Sequence, residues 1–269
     1  MICFPNAKIN IGLNITEKRS DGFHNLESVF YPVKWRDALE AIPAERLIFD
    51  TTGLDIPGKP ENNLILKAFD LIKPFVKKES NVHIHLHKVI PMGAGLGGGS
   101  ADGAFALKLF NELLECDLSI LQLQQMAATL GSDCPFFIEN KPVFCFDRGI
   151  EFKTIELDLT GYTIVCINPG IHISTAEAYG SITPSKPNEP VITLIEEPIE
   201  KWKGLIKNDF EEPLSKKYPL IAELVNRLYQ KGAIYAAMTG SGSTVYGIFK
   251  EEPDLKNQFS EYAVWKGEL

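Results

Sequence analysis

Alternating apolar and polar residues, or short apolar runs, predict five β-strands along the chain. Strict alternation marks the first two, a β-branched run bounded by glycine and proline marks the third, and two short apolar runs follow. The segments are residues 8–15, 82–89, 162–167, 233–238 and 244–249.

Apolar residues at helical spacing predict three helices. One follows Ser100 and another follows Pro219, a residue favoured in a first helical turn. A helix between them opens with Ser119 and Gln122, which are spaced as a capping box, and Gly131 can close it. The chain of 269 residues therefore mixes strands and helices, and its length predicts about two domains.

The overall charge narrows the class of partner. Lys and Arg number 27 and Asp and Glu number 35, so the net charge is −8. This balance argues against nucleic acid and anionic membranes, although a local group of backbone N–H groups can still bind an anion. Five widely spaced cysteines and the lack of a signal-peptide pattern or long apolar run predict a cytoplasmic protein.

The first glycine segment, residues 91–102, is the most informative part of the sequence. It has five glycines in seven positions between a predicted strand and a predicted helix. Glycine permits positive φ and close backbone approach, and a helix N-terminus offers N–H groups and a positive dipole end to an anion. Ser100 can cap the helix or donate to a phosphate. The segment therefore predicts a phosphate site.

The same segment also fits the dinucleotide-binding pattern G-x-G-x-x-G through Gly93, Gly95 and Gly98. That fold expects an acidic residue about 20 positions further on, at the end of the next strand. Here Glu112 and Glu115 lie in or at the end of the helix instead. A dinucleotide oxidoreductase is thus the weaker alternative, and the missing G-x-x-x-x-G-K-[ST] pattern excludes a P-loop nucleotidase.

Three further features are ordinary taken alone. The second glycine segment, residues 240–243, would be a hairpin loop, but beside the first segment it predicts a second anion site. Asp133 follows a predicted helix end and precedes an apolar strand-like run, where an Asp is usually a turn residue. Lys8 lies in the N-terminal strand on the face opposite the core, where a lysine is normally solvated.

Together these segments resemble one family. Residues 5–13, 91–102 and 240–243 are similar to the three signature motifs of the GHMP small-molecule kinases, in the family's order. The resemblance implies an α+β fold of two domains with the active site in the cleft between them. It also implies ATP as the phosphoryl donor, with Mg²⁺.

Two more segments narrow the resemblance. Residues 21–28 and 131–137 resemble the family member whose substrate is cytidine diphosphate-linked methylerythritol, in the non-mevalonate route to isoprenoids. The implied reaction is phosphorylation of the substrate 2-hydroxyl, and the implied domains are residues 1–156 and 157–269. Another GHMP kinase acting on homoserine or a mevalonate, and a non-catalytic nucleotide-binding module, remain alternatives, and a homodimer is also open.

The resemblance implies roles for single residues. Asp133 would accept or orient the substrate hydroxyl proton, and Lys8 would hold Asp133 ionised and stabilise the transferring charge. The implied ATP-binding residues are Pro91, Met92, Gly93, Ala94, Gly95, Leu96, Gly97, Gly98, Gly99, Ser100 and Ala101, with Asn62, Asn63 and Lys88 towards the adenine. The implied substrate-binding residues are Asn10, Phe23, His24, Thr175, Tyr179, Gly240, Ser241 and Gly242.

Two of these residues imply how the base is recognised. His24 and Tyr179 would hold the cytosine between two flat side chains, which favours stacking. Phe23 stands where the family more often has Tyr, so it lacks that hydroxyl. Many family members hold Mg²⁺ with a glutamate that the resemblance does not place in this sequence. Ser100 is the candidate Mg²⁺ ligand, with phosphates and water supplying the rest.

Overall fold

The structure, a computed structural model, describes residues 1–77, 80–255 and 258–269. Within these ranges the chain forms twelve strands and eight α-helices. The strands are β1 (Ile2–Cys3), β2 (Asn6–Lys18), β3 (His24–Arg36), β4 (Ala38–Ala44), β5 (Ile48–Gly53), β6 (Asn81–Lys88), β7 (Val143–Phe146), β8 (Glu151–Thr154), β9 (Thr163–Asn168), β10 (Tyr235–Met238), β11 (Val245–Phe249) and β12 (Ala263–Glu268). The helices are α1 (Leu64–Ile72), α2 (Gly98–Leu113), α3 (Ile120–Leu130), α4 (Phe136–Glu139), α5 (Thr175–Gly180), α6 (Val191–Leu194), α7 (Glu211–Lys217) and α8 (Pro219–Gln230).

The predicted periodic segments are confirmed. The five strands are β2, β6, β9, β10 and β11, and the three helices are α2, α3 and α8. The capping box of α3 is complete, since the Ser119 side chain accepts from the Gln122 N–H and the Gln122 side chain accepts from the Ser119 N–H. These elements follow from local pattern, which is the information that periodicity carries.

Two local predictions were wrong. Helix α2 begins at Gly98 with Gly97 as its N-cap, so Ser100 lies inside the first turn and does not cap the helix. The apolar run after Asp133 is the short helix α4 and not a strand; it ends at Glu139, and the C-cap residue Asn140 has φ 58°. A run of three apolar residues fits either period, and its length does not decide between them.

The chain divides into two compact units that are interleaved in sequence. Unit 1 consists of Met1–Ala7, Trp35–Met92 and Gly97–Lys141. Unit 2 consists of Lys8–Lys34, Gly93–Leu96 and Pro142–Leu269. The predicted boundary at residue 156 stays a prediction.

Unit 1 combines one sheet with the helices α1 to α4. The sheet order is β1-β4-β6-β5, in which β5 runs parallel to β6 and the other pairs are antiparallel. Apolar residues of β6 such as Ile84 and Leu86 are fully buried. Phe69 of α1 meets Phe110 of α2 edge to face at 5.4 Å between ring centroids. Since β6 leads into the first glycine segment and α2 leaves it, this packing fixes both ends of that segment.

Unit 2 contains two further sheets, with orders β2-β3-β7-β8 and β10-β11-β9-β12. The second of these is antiparallel throughout. Helix α8 turns the apolar side chains Leu224 and Leu228 into a core shared with Val165, Ile167 and Phe249. Across the described part of the chain, no helix is long and apolar enough to cross a membrane.

Candidate active site

Lys8 is buried, although a lysine at this strand position is normally solvated. Only 3% of the residue is exposed. Its Nζ donates to Oδ1 of Asn10 at 2.5 Å and lies 4.4 Å from the ring centroid of Phe30. Its backbone N–H donates to the carbonyl oxygen of Leu96 at 2.9 Å, so β2 contacts the first glycine segment. A charge in such a low-dielectric place interacts more strongly with a nearby anion than it would in water.

Asn10 is held by hydrogen bonds on both its side chain and its backbone. Its Nδ2 donates to Oγ of Ser28 at 2.8 Å, and that hydroxyl donates to the carbonyl oxygen of Gly12 at 2.6 Å. Its N–H donates to Oγ1 of Thr239 at 2.9 Å. Because Asn10 and both partners are buried, these bonds fix the amide that accepts from Lys8.

The two glycine segments touch each other within unit 2. Gly95 has φ +79°, and a Cβ there would overlap the carbonyl oxygen of Thr239. A Cβ at Gly240 would lie 2.9 Å from Cα of Gly95. The Thr244 N–H donates to the carbonyl oxygen of Ala94 at 3.3 Å. Glycine is therefore required where the two backbones meet; anion binding there stays a prediction.

The Asn208 side chain holds the start of the second glycine segment by hydrogen bonds. Its Nδ2 donates to the carbonyl oxygens of Met238 at 2.8 Å and Gly240 at 2.9 Å. The Gly242 N–H donates to the carbonyl oxygen of Thr239 at 3.0 Å. Sequence reasoning missed Asn208, because nothing in the residues around it marks its contact with a loop about thirty positions away.

The rest of the first glycine segment belongs to unit 1 and leads into α2. Gly97 has φ +70° and no side chain to cap the helix, so the first-turn N–H groups lack a side-chain acceptor from the N-cap. A Cβ at Gly98 would lie 2.9 Å from Ile90 and 3.2 Å from Nζ of Lys88. The start of α2 therefore packs directly against the end of β6. The N–H groups of the first helical turn are available to an anion.

Lys88 lies between two carboxylates instead of facing open space. Its Nζ is 2.5 Å from Oδ2 of Asp37 and 2.6 Å from Oδ2 of Asp102, and all three residues are buried. Oδ1 of Asp37 accepts from the N–H groups of Val89 and Ile90, at 2.6 and 2.8 Å. The expected contact of Lys88 with ATP stays a prediction, and it would have to come from backbone atoms.

Asp102 is the unusual member of this cluster. Burial, with the nearby Asp37 adding to it and Lys88 opposing it, raises the pKa of Asp102 from 3.8 to about 8. Its Oδ1 is buried and has no hydrogen-bond partner among the described residues. Asp102 lies at the end of the first glycine segment, so its position was visible in the sequence, but its partner Asp37 was not.

Asp133 lies in unit 1, in the turn between α3 and α4. The next residue, Cys134, is fully buried and hydrogen-bonds to the hydroxyl of Ser100 in the first turn of α2. Burial raises the pKa of the Cys134 thiol to about 12, so it stays protonated. The turn that carries Asp133 is therefore held beside α2. Lys8 belongs to unit 2, and the contact between Lys8 and Asp133 stays a prediction.

The two residues expected to hold the base are neighbours. His24 begins β3 and Tyr179 lies in α5, and their ring centroids are 4.8 Å apart with a 31° angle between the planes. Tyr179 also meets Phe210 edge to face at 5.0 Å. A base between two rings needs about 7 Å between them, twice a van der Waals contact. The expected sandwich therefore requires the rings to separate.

The remaining predicted residues lie on loops and helix starts. Phe23 is 57% exposed at the tip of the β2–β3 hairpin, and Thr175 is the first residue of α5. Asn62 lies in a 3₁₀ turn, and the Asn63 side chain caps α1 by accepting from the Ile65 N–H at 2.9 Å. Within unit 2 the structure brings Lys8 and Asn10 to residues 93–96 of the first glycine segment, which contact the second glycine segment. The ligand contacts of Asn62, Asn63 and Thr175 stay predictions.

The amino-acid sequence matches known families and curated proteins. Two family models match the chain, GHMP kinases N terminal domain at residues 63–141 and GHMP kinases C terminal at residues 193–263. The chain is 45% identical over 271 residues to a 4-diphosphocytidyl-2-C-methyl-D-erythritol kinase of Parabacteroides distasonis, covering 100% of both chains. It is 47% identical over 267 residues to the protein of that name from Bacteroides fragilis, covering 98% of this chain and 97% of the other.

Solved structures give the same result at the level of the fold. A crystal structure of 4-(cytidine 5'-diphospho)-2C-methyl-D-erythritol kinase superposes with a TM-score of 0.83 at 29% identity, covering 99% of this chain and 98% of the other. The mevalonate kinase of Methanococcus jannaschii superposes with a TM-score of 0.75 at 14% identity, covering 100% and 98%, which shows the fold alone.

Proposed function

Because the chain belongs to the GHMP kinase family, among its 4-diphosphocytidyl-2-C-methyl-D-erythritol kinases, we propose that it transfers the γ-phosphoryl group of ATP to the 2-hydroxyl of that substrate. The observation that carries the proposal beyond similarity is that β2 bonds to Leu96 of the first glycine segment and to Thr239, the residue before the second glycine segment. There a buried lysine and a fixed asparagine lie beside backbone that only glycine can form.

The proposed chemistry asks for positioning and charge stabilisation rather than a covalent intermediate. Asp133 accepts or orients the proton of the attacking hydroxyl. Lys8 supplies positive charge to the transferring group, and its buried setting with Asn10 limits the reorganisation needed during the reaction. The first-turn N–H groups of α2 bind phosphate oxygens.

The part of the chain that the structure describes offers little to hold a metal ion by itself. The described residues contain no group of three or more His, Cys, Asp or Glu side chains placed to bind one. Mg²⁺ in kinases takes most of its oxygen ligands from phosphates and water. The Ser100 hydroxyl would hold an Mg²⁺ ion together with phosphate and water oxygens, and the ion would neutralise phosphate charge when ATP is bound.

The proposed partner is a small molecule with a cytosine base, recognised by His24 and Tyr179, and not a nucleic acid. Five free cysteines support a reducing, cytoplasmic setting. A homodimer stays a prediction.

The test is a coupled kinase assay with ATP and each of three acceptors: the diphosphocytidyl substrate, homoserine and mevalonate. We expect turnover only with the first, inhibited by cytidine 5′-diphosphate. Asp133→Asn should still bind ATP while turnover falls at least about a hundredfold. The control is Asp55→Asn, on an exposed loop. Turnover with another acceptor would contradict the substrate, and an unchanged Asp133→Asn rate would remove Asp133 as the base.

A further inference from the structure

Arg19 joins three segments of unit 2 around the start of β3. Its Nη1 is 2.6 Å from Oδ1 of Asp147 and donates to Oδ1 of Asn25 at 2.9 Å. Its Nε is 3.1 Å from Oδ2 of Asp21. We call Arg19, Asp21, Asn25 and Asp147 the Arg19 network. It connects the tip of the β2–β3 hairpin and β3 to the turn between β7 and β8.

Backbone bonds follow the same path. The Arg19 N–H donates to the carbonyl oxygen of Phe23 at 2.9 Å, and the Leu26 N–H donates to the carbonyl oxygen of Asp147 at 2.7 Å. The Phe23 N–H donates to Oδ1 of Asp21 at 3.1 Å. His24 lies inside this ring of bonds, between Phe23 and Asn25. The Arg19 network therefore holds the residues on either side of His24.

Solvent screens the central ion pair of the network. The Arg19 and Asp147 side chains are each 32% exposed, so this pair taken alone contributes little to the free energy of unfolding. Asp147 also holds a left-handed backbone, with φ 57°, which most residues adopt only at a cost. The planar guanidinium of Arg19 donates to three acceptors, however, and this fixed geometry restricts the orientation of the segments that carry them.

Tyr179 has a separate support. It packs edge to face on Phe210, which is buried in the core of unit 2, whereas His24 stands on a hairpin. The spacing between the His24 and Tyr179 rings therefore depends on how the hairpin is held. That spacing decides whether a flat base can stack on them.

We propose that Arg19 and Asp147 are positioning residues that set His24 for recognition of the substrate's base. The proposal rests on the function proposed above, since it assumes that His24 meets a cytosine. Neither residue touches the ligand in this scheme. Their effect is on the affinity for the cytidine nucleotide and not on the affinity for ATP.

The experiment compares full-length wild type with Asp147→Asn, Arg19→Met, the double variant and Arg19→Lys. Asn tolerates positive φ, so Asp147→Asn removes charge without backbone strain. Isothermal titration with cytidine 5′-diphosphate gives the Kd, and steady-state kinetics give KM for substrate and ATP. The matched control is Glu197→Gln, which removes a different exposed ion pair, with Lys201.

We expect Asp147→Asn and Arg19→Met each to raise the Kd and the substrate KM at least about threefold. The double variant should show the same Kd as the single variant with the larger increase, because both changes break one shared interaction. The KM for ATP should stay within about twofold of wild type, and Arg19→Lys should recover part of the loss because it keeps the charge. Glu197→Gln should change nothing.

Unchanged Kd in both single variants would overturn the positioning role, and so would a parallel rise in the KM for ATP, which indicates general loosening. If Arg19→Met does not fold, the Kd and KM values of Arg19→Lys and Asp147→Asn are compared with those of wild type instead. Wild type that binds no cytidine 5′-diphosphate would instead contradict the proposed function, so the two failures are distinguishable.

Discussion

The hydroxyl of Thr239 accepts a hydrogen bond from the backbone N–H of Asn10 at 2.9 Å, although the two residues are 229 positions apart. The same hydroxyl donates to the carbonyl oxygen of Gly95 at 3.1 Å. Thr239 is fully buried, so water does not substitute for either bond. One side chain thus connects the strand that carries Lys8 to the first glycine segment.

Replacing this hydroxyl should disturb both contacts at once. Thr239→Val keeps the shape but leaves the Asn10 N–H and the Gly95 carbonyl buried without that partner, which costs about 2–4 kcal/mol of unfolding free energy. We expect kcat to fall by more than the affinity for ATP, because the geometry around Lys8 is what changes. Urea unfolding and steady-state kinetics measure the two effects.

Thr239→Ser is the matched variant, since it keeps the hydroxyl and removes only a methyl group. It should recover most of the lost kcat. A Ser variant that loses kcat while the Val variant keeps it would mean that packing of the methyl group, and not the hydrogen bonds, is what the site requires.

The sequence predicted the periodic elements and the glycine segments because both are local patterns. The contact between Thr239 and Gly95, and the placing of Asp37 beside Lys88, are not local: the partners are 144 and 51 positions apart. Spacing within a segment carries no information about such pairs. His24 and Tyr179 were associated only through family resemblance, and the structure brings their rings together. The start of α2 was misjudged because a glycine N-cap leaves no side-chain signal.

Gly95→Ala should be far more damaging than an ordinary glycine substitution. The new Cβ would overlap the Thr239 carbonyl oxygen in addition to the strain of φ +79°. We expect a loss of about 3 kcal/mol or more in unfolding free energy and a large loss of kcat. The control is Gly161→Ala, where φ is +89° but nothing lies within 4 Å of the added carbon. Similar losses in both variants would show that backbone strain alone, and not the approach of the two segments, sets the cost.

Lys8→Met tests the proposed role of the buried ammonium group. The methionine side chain fits an apolar site beside Phe30 but removes the charge and the bond to Asn10. We expect turnover to fall at least about a hundredfold while ATP affinity falls much less, because the charge acts on the transferring group. Single-turnover kinetics and ATP titration separate the two quantities. Equal losses would place Lys8 in nucleotide binding instead.

Asp102→Asn should change how stability depends on pH. The pKa of the Asp102 carboxyl is about 8 in the folded chain against 3.8 ordinarily, so folding favours its protonated form. Its contribution to stability is therefore complete below about pH 4 and is lost as the pH rises through about 8. Asparagine does not titrate, so the stability of wild type relative to the variant should decline between pH 5 and pH 8 on urea unfolding. The neighbouring Cys3 thiol, whose pKa burial raises to about 12, does not titrate in this range. Parallel pH profiles for the two proteins would show that Asp102 is already ionised in the fold, held so by Lys88.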